Sequence, residues 1–160
     1  MKKNTKCLFL RIPAFTRTLD VVGEHIKCYE KNGYVWFMKM GQKPSEAFIK
    51  MVMENNGGII YKSQAKIGNK FYYGDLTSIS PTLDNIAYPE YYNEIFKNMN
   101  MSIETTFENA IWFKIENIKE LPIKKVNAFQ TEKEKSLYEC ATHLYQVSYM
   151  YVKTKEDIDI

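Results

Sequence analysis

Apolar and polar positions change period several times along this chain, and each change marks an element. Lys6–Ile12 is a short apolar run closed by Pro13, and predicts a strand that the proline ends or confines to an edge. Over residues 16–30 the apolar positions Leu19, Val22, Ile26 and Tyr29 recur three and four apart, one stripe of an amphipathic helix, with His25 near its polar side. Thr16 or Thr18 is placed to cap that helix, and Asn32-Gly33 to end it, with Gly33 free to turn left-handed. Residues 34–40 are almost all apolar, which predicts a central strand or one buried on both faces. Pro44 suits the first turn of a second helix over residues 45–55, where Phe48, Ile49, Val52 and Met53 have helical spacing.

Residues 57–80 organise the rest. Two runs rich in β-branched and aromatic residues flank Gly68-Asn69, the pattern of a β-hairpin. In its second arm Phe71, Tyr73 and Ser78 face away from Tyr72, Leu76 and Ile79. Gly74 breaks the alternation, which predicts a bulge or a bend that curls the sheet. A loop over 81–89 leads to a third helix over 90–99, with Tyr91, Ile95 and Phe96 on one side, and 101–107 reads as strand or extended loop. Residues 109–116, carrying Ile111, Trp112, Phe113 and Ile115, predict a strand. A single turn over 117–121 and a short strand over 123–129 follow. Thr131 with Glu134 fits a capping box opening a short helix. Residues 144–153 alternate, with Tyr145, Val147, Tyr149, Tyr151 and Lys153 on one face, and the acidic tail 154–160 is expected to fray. The sum is six or seven strands and three or four short helices in one domain without repeats. That is an α+β fold whose mixed or mainly antiparallel sheet is strongly curved or closed into a small barrel.

Composition changes this picture little. At 45% hydrophobic and 26% charged, the 160 residues are those of a globular domain and not of a disordered chain. A net charge of +3 permits contact with nucleic acid without making a dedicated electrostatic binder. Cys7, Cys28 and Cys140 are odd in number and far apart, which argues against a disulfide framework or a zinc site and for a reducing, cytoplasmic setting. The basic start resembles a signal n-region, but Arg11 and Pro13 break the apolar run behind it, and no run approaches a membrane span. The expectation is a soluble protein with no membrane partner.

Candidate chemistry is sparse. Neither His25 nor His143 sits in a nucleophile signature, and the glycines form no phosphate-binding loop motif. Glu104, Glu108 and Glu116 read as a solvated face. No catalytic residue, cofactor or metal is assigned. The remaining signal is aromatic residues interleaved with lysines on predicted strands, a composition suited to stacking exposed bases beside phosphate contacts. Trp36, Lys39, Tyr61, Tyr72, Tyr73, Asp75, Tyr149 and Tyr151 are the candidate ligand-binding residues, and Lys62, Lys66, Lys70, Lys114 and Lys153 the neighbouring cations. The competing reading is that Trp36, Phe37, Trp112 and Phe113 are core and that tyrosines pair across strands.

The order of three segments resembles the PUA-like barrels, especially the EVE and ASCH groups: Gly57-Gly58-Ile59-Ile60-Tyr61; Phe71-Tyr72-Tyr73-Gly74-Asp75-Leu76; and Ile111-Trp112-Phe113-Lys114-Ile115 followed by Ile118-Lys119-Glu120-Leu121-Pro122. The resemblance spans residues 33–153, and the lysine and arginine signature of ASCH proteins is absent. It implies a small curved barrel holding RNA, or a modified base in an aromatic cleft, with Trp36, Tyr72, Tyr73 and Asp75 as the residues to test. Three functions are therefore expected to compete. The first is a nucleic-acid- or nucleotide-binding module for RNA or DNA. The second is a protein-binding inhibitor or accessory factor, for example a phage-type antagonist of a bacterial defence system. The third is a hydrolase or nuclease with an unconventional site.

Overall fold

A computed structural model describes residues 1–12, 19–63, 70–79, 87–102, 110–143 and 148–160. Seven strands of the described residues form one sheet: β1 (Lys6–Ile12), β2 (Val35–Met40), β3 (Gly58–Ser63), β4 (Phe71–Ile79), β5 (Ala110–Leu121), β6 (Phe129–Thr131) and β7 (Tyr149–Thr154). Among the described residues five helices accompany them: α1 (Val21–Asn32), α2 (Glu46–Glu54), α3 (Tyr91–Asn98), α4 (Ile123–Val126) and α5 (Leu137–His143). The sheet order is β2-β5-β4-β3-β1-β7-β6, and among these pairs β1–β3 is parallel and the others antiparallel. The α+β class and the mixed, mainly antiparallel sheet follow the sequence expectation.

Among the described residues the sheet does not close into a barrel. The outer edge of β2 is taken by the chain before and within α3. The Ala87 carbonyl accepts from Trp36 N at 2.7 Å, and the Tyr92 hydroxyl accepts from Met38 N at 3.2 Å. An edge strand whose amides are already bonded offers no ladder to another strand. The opposite edge, β6, is three residues long.

Both faces of the sheet are covered, so β1 and β2 are buried on two sides as near-continuous apolar runs. On one face Leu8, Leu10, Phe37, Ile59, Phe113 and Ile115 pack with Val21, Val22, Phe48, Ile49 and Val52 from α1 and α2. On the other, two clusters form. Phe9, Ile60, Phe71, Leu121 and Val152 pack with Val126, Leu137 and Ala141 from α4 and α5. Trp36, Met38 and Trp112 pack with Tyr92 and Phe96 from α3.

Several boundaries differ from expectation for identifiable reasons. Asp20, not a threonine, caps α1, accepting from Gly23 N at 3.0 Å; Thr16 and Thr18 lie outside the described residues. Ser45 caps α2 by accepting from Phe48 N, which places Pro44 before the helix. Asn56 takes the left-handed turn after α2, with φ 52°. Gly57 is needed instead for close approach, since a Cβ there would collide with the Lys6 carbonyl. Residues 117–121 are not a turn but the end of β5. The sequence signal misled because Asn117 sits left-handed, at φ 51°, in a bulge. Residues 123–126 are a helical turn, and only 129–131 are strand. Thr131 and Glu134 close a turn, through Glu134 N to Thr131 O and Lys135 N to Thr131 Oγ1, and α5 begins later, over Ser136. The tail is tied down rather than frayed: Lys155 N donates to Ala128 O, Ile158 N to Met1 O, and Asp157 pairs with Lys2 at 2.9 Å.

The arms of the 57–80 hairpin pair as β3 and β4, with Ile60 opposite Tyr73; its turn, 64–69, lies outside the described residues. The ladder of β4 with β5 shifts register twice, between Tyr73 and Asp75 and between Leu76 and Ser78. The first shift inserts a residue in β5 at Asn117, and the second inserts Thr77 in β4, so the two cancel. Alternation sets Phe71 and Tyr73 opposite Tyr72 and Leu76, and the extra residue Thr77 turns Ile79 to the side of Tyr72 and Leu76.

Candidate functional site

The eight residues singled out from the sequence are not gathered into one surface. Trp36 is buried in the α3 cluster, and Tyr61 and Tyr73 lie on opposite faces of the sheet, both buried. Burial pushes the Tyr61 and Tyr73 phenols far up, with the Asp75 carboxylate adding to each. Lys39 is half-buried at the β2 edge, where Nζ donates to the Met40 carbonyl at 2.6 Å and burial pushes its ammonium down. Tyr72 is partly exposed beside Lys70, which pairs with Glu120 at 2.8 Å. Tyr149 and Tyr151 clamp the start of α2. The Tyr151 ring stacks on Phe48 at 3.8 Å and its hydroxyl accepts from Ser45 N, while the Tyr149 hydroxyl donates to the Lys43 carbonyl. Those two tyrosines hold a helix to the sheet. Lys66 and Tyr145 lie outside the described residues.

Asp75 belongs to a polar strip on the bulged β4–β5 ladder. Asn117 Nδ2 donates to its Oδ2 at 2.8 Å. One strand position away Lys114 pairs with Glu116 at 2.9 Å, and the Thr77 hydroxyl donates to Glu116 Oε1 at 3.2 Å. The Lys114 ammonium also stands 4.6 Å over the Tyr34 ring. Each charge in this strip faces an opposite charge or a hydrogen-bond donor.

The histidines do not assemble catalytic groups. His25 is buried, not on the polar side of α1 as its spacing suggested. Its Nδ1 donates to the Val21 carbonyl at 2.7 Å, and its Nε2 accepts from the Tyr92 hydroxyl at 3.1 Å, so both ring nitrogens are occupied. Burial pushes its imidazole down to about 4, against the smaller opposing pull of the Val21 carbonyl and Glu24. His143 is exposed at the end of α5, its Nδ1 near the Thr142 hydroxyl and the Glu139 carbonyl. Among the described residues no three His, Cys, Asp or Glu side chains are placed to hold a metal ion, and no helix is long and apolar enough to cross a membrane.

A different pair stands out. Arg11 and Lys62 are register partners on the parallel strands β1 and β3, one residue before each strand ends. Both project from the face that carries Phe9 and Ile60. Arg11 is only 8% exposed, and its Nη2 donates to the Ala141 carbonyl in the last turn of α5 at 2.9 Å. Burial pushes the guanidinium down. Burial, and then the Arg11 charge, push the half-buried Lys62 ammonium down as well. Adjacent strands are about 4.8 Å apart, so two like charges share one small region of low dielectric. Sequence reasoning counted Lys62 among the cations but passed over Arg11. The available signal was a charged residue inside a strand that is otherwise apolar on both faces. The alternation of β1, which puts Cys7, Phe9 and Arg11 on one side, then brings it next to Lys62.

No protein-family model, curated protein or solved structure matches this chain, so its functional reading rests on the placement of its own residues.

Proposed function

We propose that this chain is a binding module for a phosphate-bearing ligand of the nucleotide or nucleic-acid class, engaged at Arg11 and Lys62. The observation that supports this reading is the side-by-side placement of the two cations at the carboxyl ends of the parallel pair. Like charges directly across a ladder are unfavourable, and a buried guanidinium costs desolvation. An anion brought to the guanidinium offsets its desolvation and gains charge-assisted hydrogen bonds. The carboxyl ends of parallel strands are also where open α/β sheets bind ligands, an analogy of position only.

This reading differs from the sequence expectation in its means. Phosphate contact carries it, while Trp36, Tyr61 and Tyr73 act as core under and around the sheet. Fluorescence anisotropy with labelled single- and double-stranded oligonucleotides, at low and at physiological salt, tests it. Binding should weaken as salt rises, and Arg11→Gln or Lys62→Gln should weaken it by about tenfold with circular dichroism unchanged. Absence of binding at low salt, or variants that bind as the parent does, would refute it and leave a protein partner as the reading to pursue.

A further inference from the structure

We propose that Asn56 is a site of spontaneous deamidation in the folded protein, and that its isoaspartyl product loosens the junction between α2 and β3. The chain's other Asn-Gly step, Asn32-Gly33, is protected by its place in α1.

The reaction needs an asparagine amide carbon and the backbone nitrogen of the next residue. Glycine at that next position leaves the nitrogen open to approach, because no Cβ stands beside it. The sequence has two such steps, Asn32-Gly33 and Asn56-Gly57, and both asparagines are exposed. At the second step the Gly57 nitrogen bonds to Asn56 Cγ. The Cγ–Nδ2 bond breaks, and Nδ2 leaves as ammonia with the proton that the Gly57 nitrogen gives up. Water then opens the cyclic imide. Cleavage at Cγ gives aspartate. Cleavage at the main-chain carbonyl carbon gives isoaspartate, whose backbone runs through Cβ and Cγ and is one carbon longer. No oxidant or reductant is consumed.

The structure separates the two steps. Asn32 is the last residue of α1, and its Nδ2 donates to the Cys28 carbonyl one turn back at 2.8 Å. That bond holds the amide along the helix, and Gly33 N donates to the Tyr29 carbonyl at 2.7 Å. Asn56 instead follows α2 in a left-handed turn at φ 52°, and its side chain forms no hydrogen bond with any described residue. It borders a cavity of about 370 Å³, lined also by Lys2, Lys3, Asn4 and Thr5, from which water reaches the imide. Lys2 pairs with Asp157, whereas Lys3 has no carboxylate partner among the described residues, so a carboxylate formed at position 56 gains a nearby positive charge. Gly57 N donates to the Val52 carbonyl at 2.8 Å, and the folded protein reacts when this end of α2 frays.

The junction has no slack for the extra carbon of isoaspartate. A Cβ on Gly57 would collide with the Lys6 carbonyl, and one on Gly58 with the Gly74 carbonyl. The longer backbone therefore breaks the Gly57–Val52 bond instead of shifting β3.

The test incubates the whole chain at mildly alkaline pH, folded and in urea. Conversion is followed by peptide mass spectrometry with isoaspartyl methyltransferase labelling. In the folded protein Asn56 should convert several-fold faster than Asn32. In urea the two steps should convert at similar rates, since the fold no longer distinguishes them. Asn56→Gly keeps the left-handed turn and should abolish labelling at that step. Hydrogen exchange at the end of α2 should rise in the isoaspartyl fraction and stay at the parent level in Asn56→Asp, which carries the charge without the extra carbon. Asn32 converting as fast as Asn56 in the folded protein, or Asn56 unconverted there while the chain in urea reacts, overturns the assignment of the site. Exchange in the isoaspartyl fraction equal to that of Asn56→Asp overturns the loosening.

Discussion

Lowering the pH from 7 to 4 should destabilise this protein through one residue, His25. Its ring lies between α1, α3 and β2, with Phe37 at 5.1 Å, Tyr92 at 5.7 Å and Tyr91 at 5.9 Å by ring centroids, and both nitrogens are hydrogen-bonded in the neutral form. Protonation would force Nε2 to donate towards a hydroxyl that already donates to it. In the folded protein the imidazole sits at about 4, against 6.5 for an ordinary histidine. The unfolded chain therefore takes up a proton through pH 6.5 while the folded one does not, and stability falls as pH drops between those values. Below about 4 both states are protonated and this group causes no further loss. Two and a half pH units at about 1.4 kcal/mol each amount to about 3 kcal/mol, a large share of the roughly 5–15 kcal/mol typical of a domain. The assay is urea unfolding followed by tryptophan fluorescence at half-unit steps from pH 7 to 4, on the parent and on His25→Gln. Glutamine can accept from Tyr92 but does not titrate. The parent's unfolding free energy should fall by about 3 kcal/mol more than the variant's across that interval. Parallel curves, or an imidazole that titrates near 6.5 by NMR in the folded protein, would refute the reasoning.

Other outcomes follow from single contacts. Tyr92→Phe leaves both the His25 ring nitrogen and the Met38 amide without their partner, and should cost about 2–3 kcal/mol and loosen α3 from the β2 edge by hydrogen exchange. The Tyr61 hydroxyl is buried with no hydrogen-bond partner among the described residues, so Tyr61→Phe should be neutral or stabilising by up to about 1 kcal/mol in thermal denaturation. A Cβ at Gly74 would stand 2.8 Å from that hydroxyl and also meet the Ile115 side chain. Gly74→Ala should thus cost about 1–3 kcal/mol, less in the Tyr61→Phe background, and additive losses would count against that contact. Asn117→Ala loses both a tolerated left-handed residue and the bond to Asp75, and should cost about 1–2 kcal/mol, whereas Asn117→Gly recovers the backbone part.

The sequence by itself determined the elements whose signals are local. The apolar run of β1, the stripe of α1, the Gly33 stop at φ 77° and the β3–β4 hairpin arms are all where periodicity and turn chemistry put them, because backbone preference and one-sided burial act over a few residues. Even the face switch along β4 was legible, since Phe71 and Tyr73 pack opposite to Leu76 and Ile79. What the sequence left open required neighbours distant in the chain. His25 looks polar by its spacing on α1 and is buried because α3, 67 residues later, supplies the Tyr92 hydroxyl. Tyr149 and Tyr151 could equally have formed a platform for bases; contact with Phe48, Ser45 and Lys43 of the α2 region turned them into packing. The cancelling bulges at Asn117 and Thr77 extended β5 through a stretch that reads as a turn. Arg11 and Lys62 are 51 positions apart and meet only because β1 and β3 pair in parallel at that register. Local propensity acts along the chain. Which charges meet, and which rings lose their access to solvent, is set by strand order and register, and these are settled only when both faces of the sheet are covered.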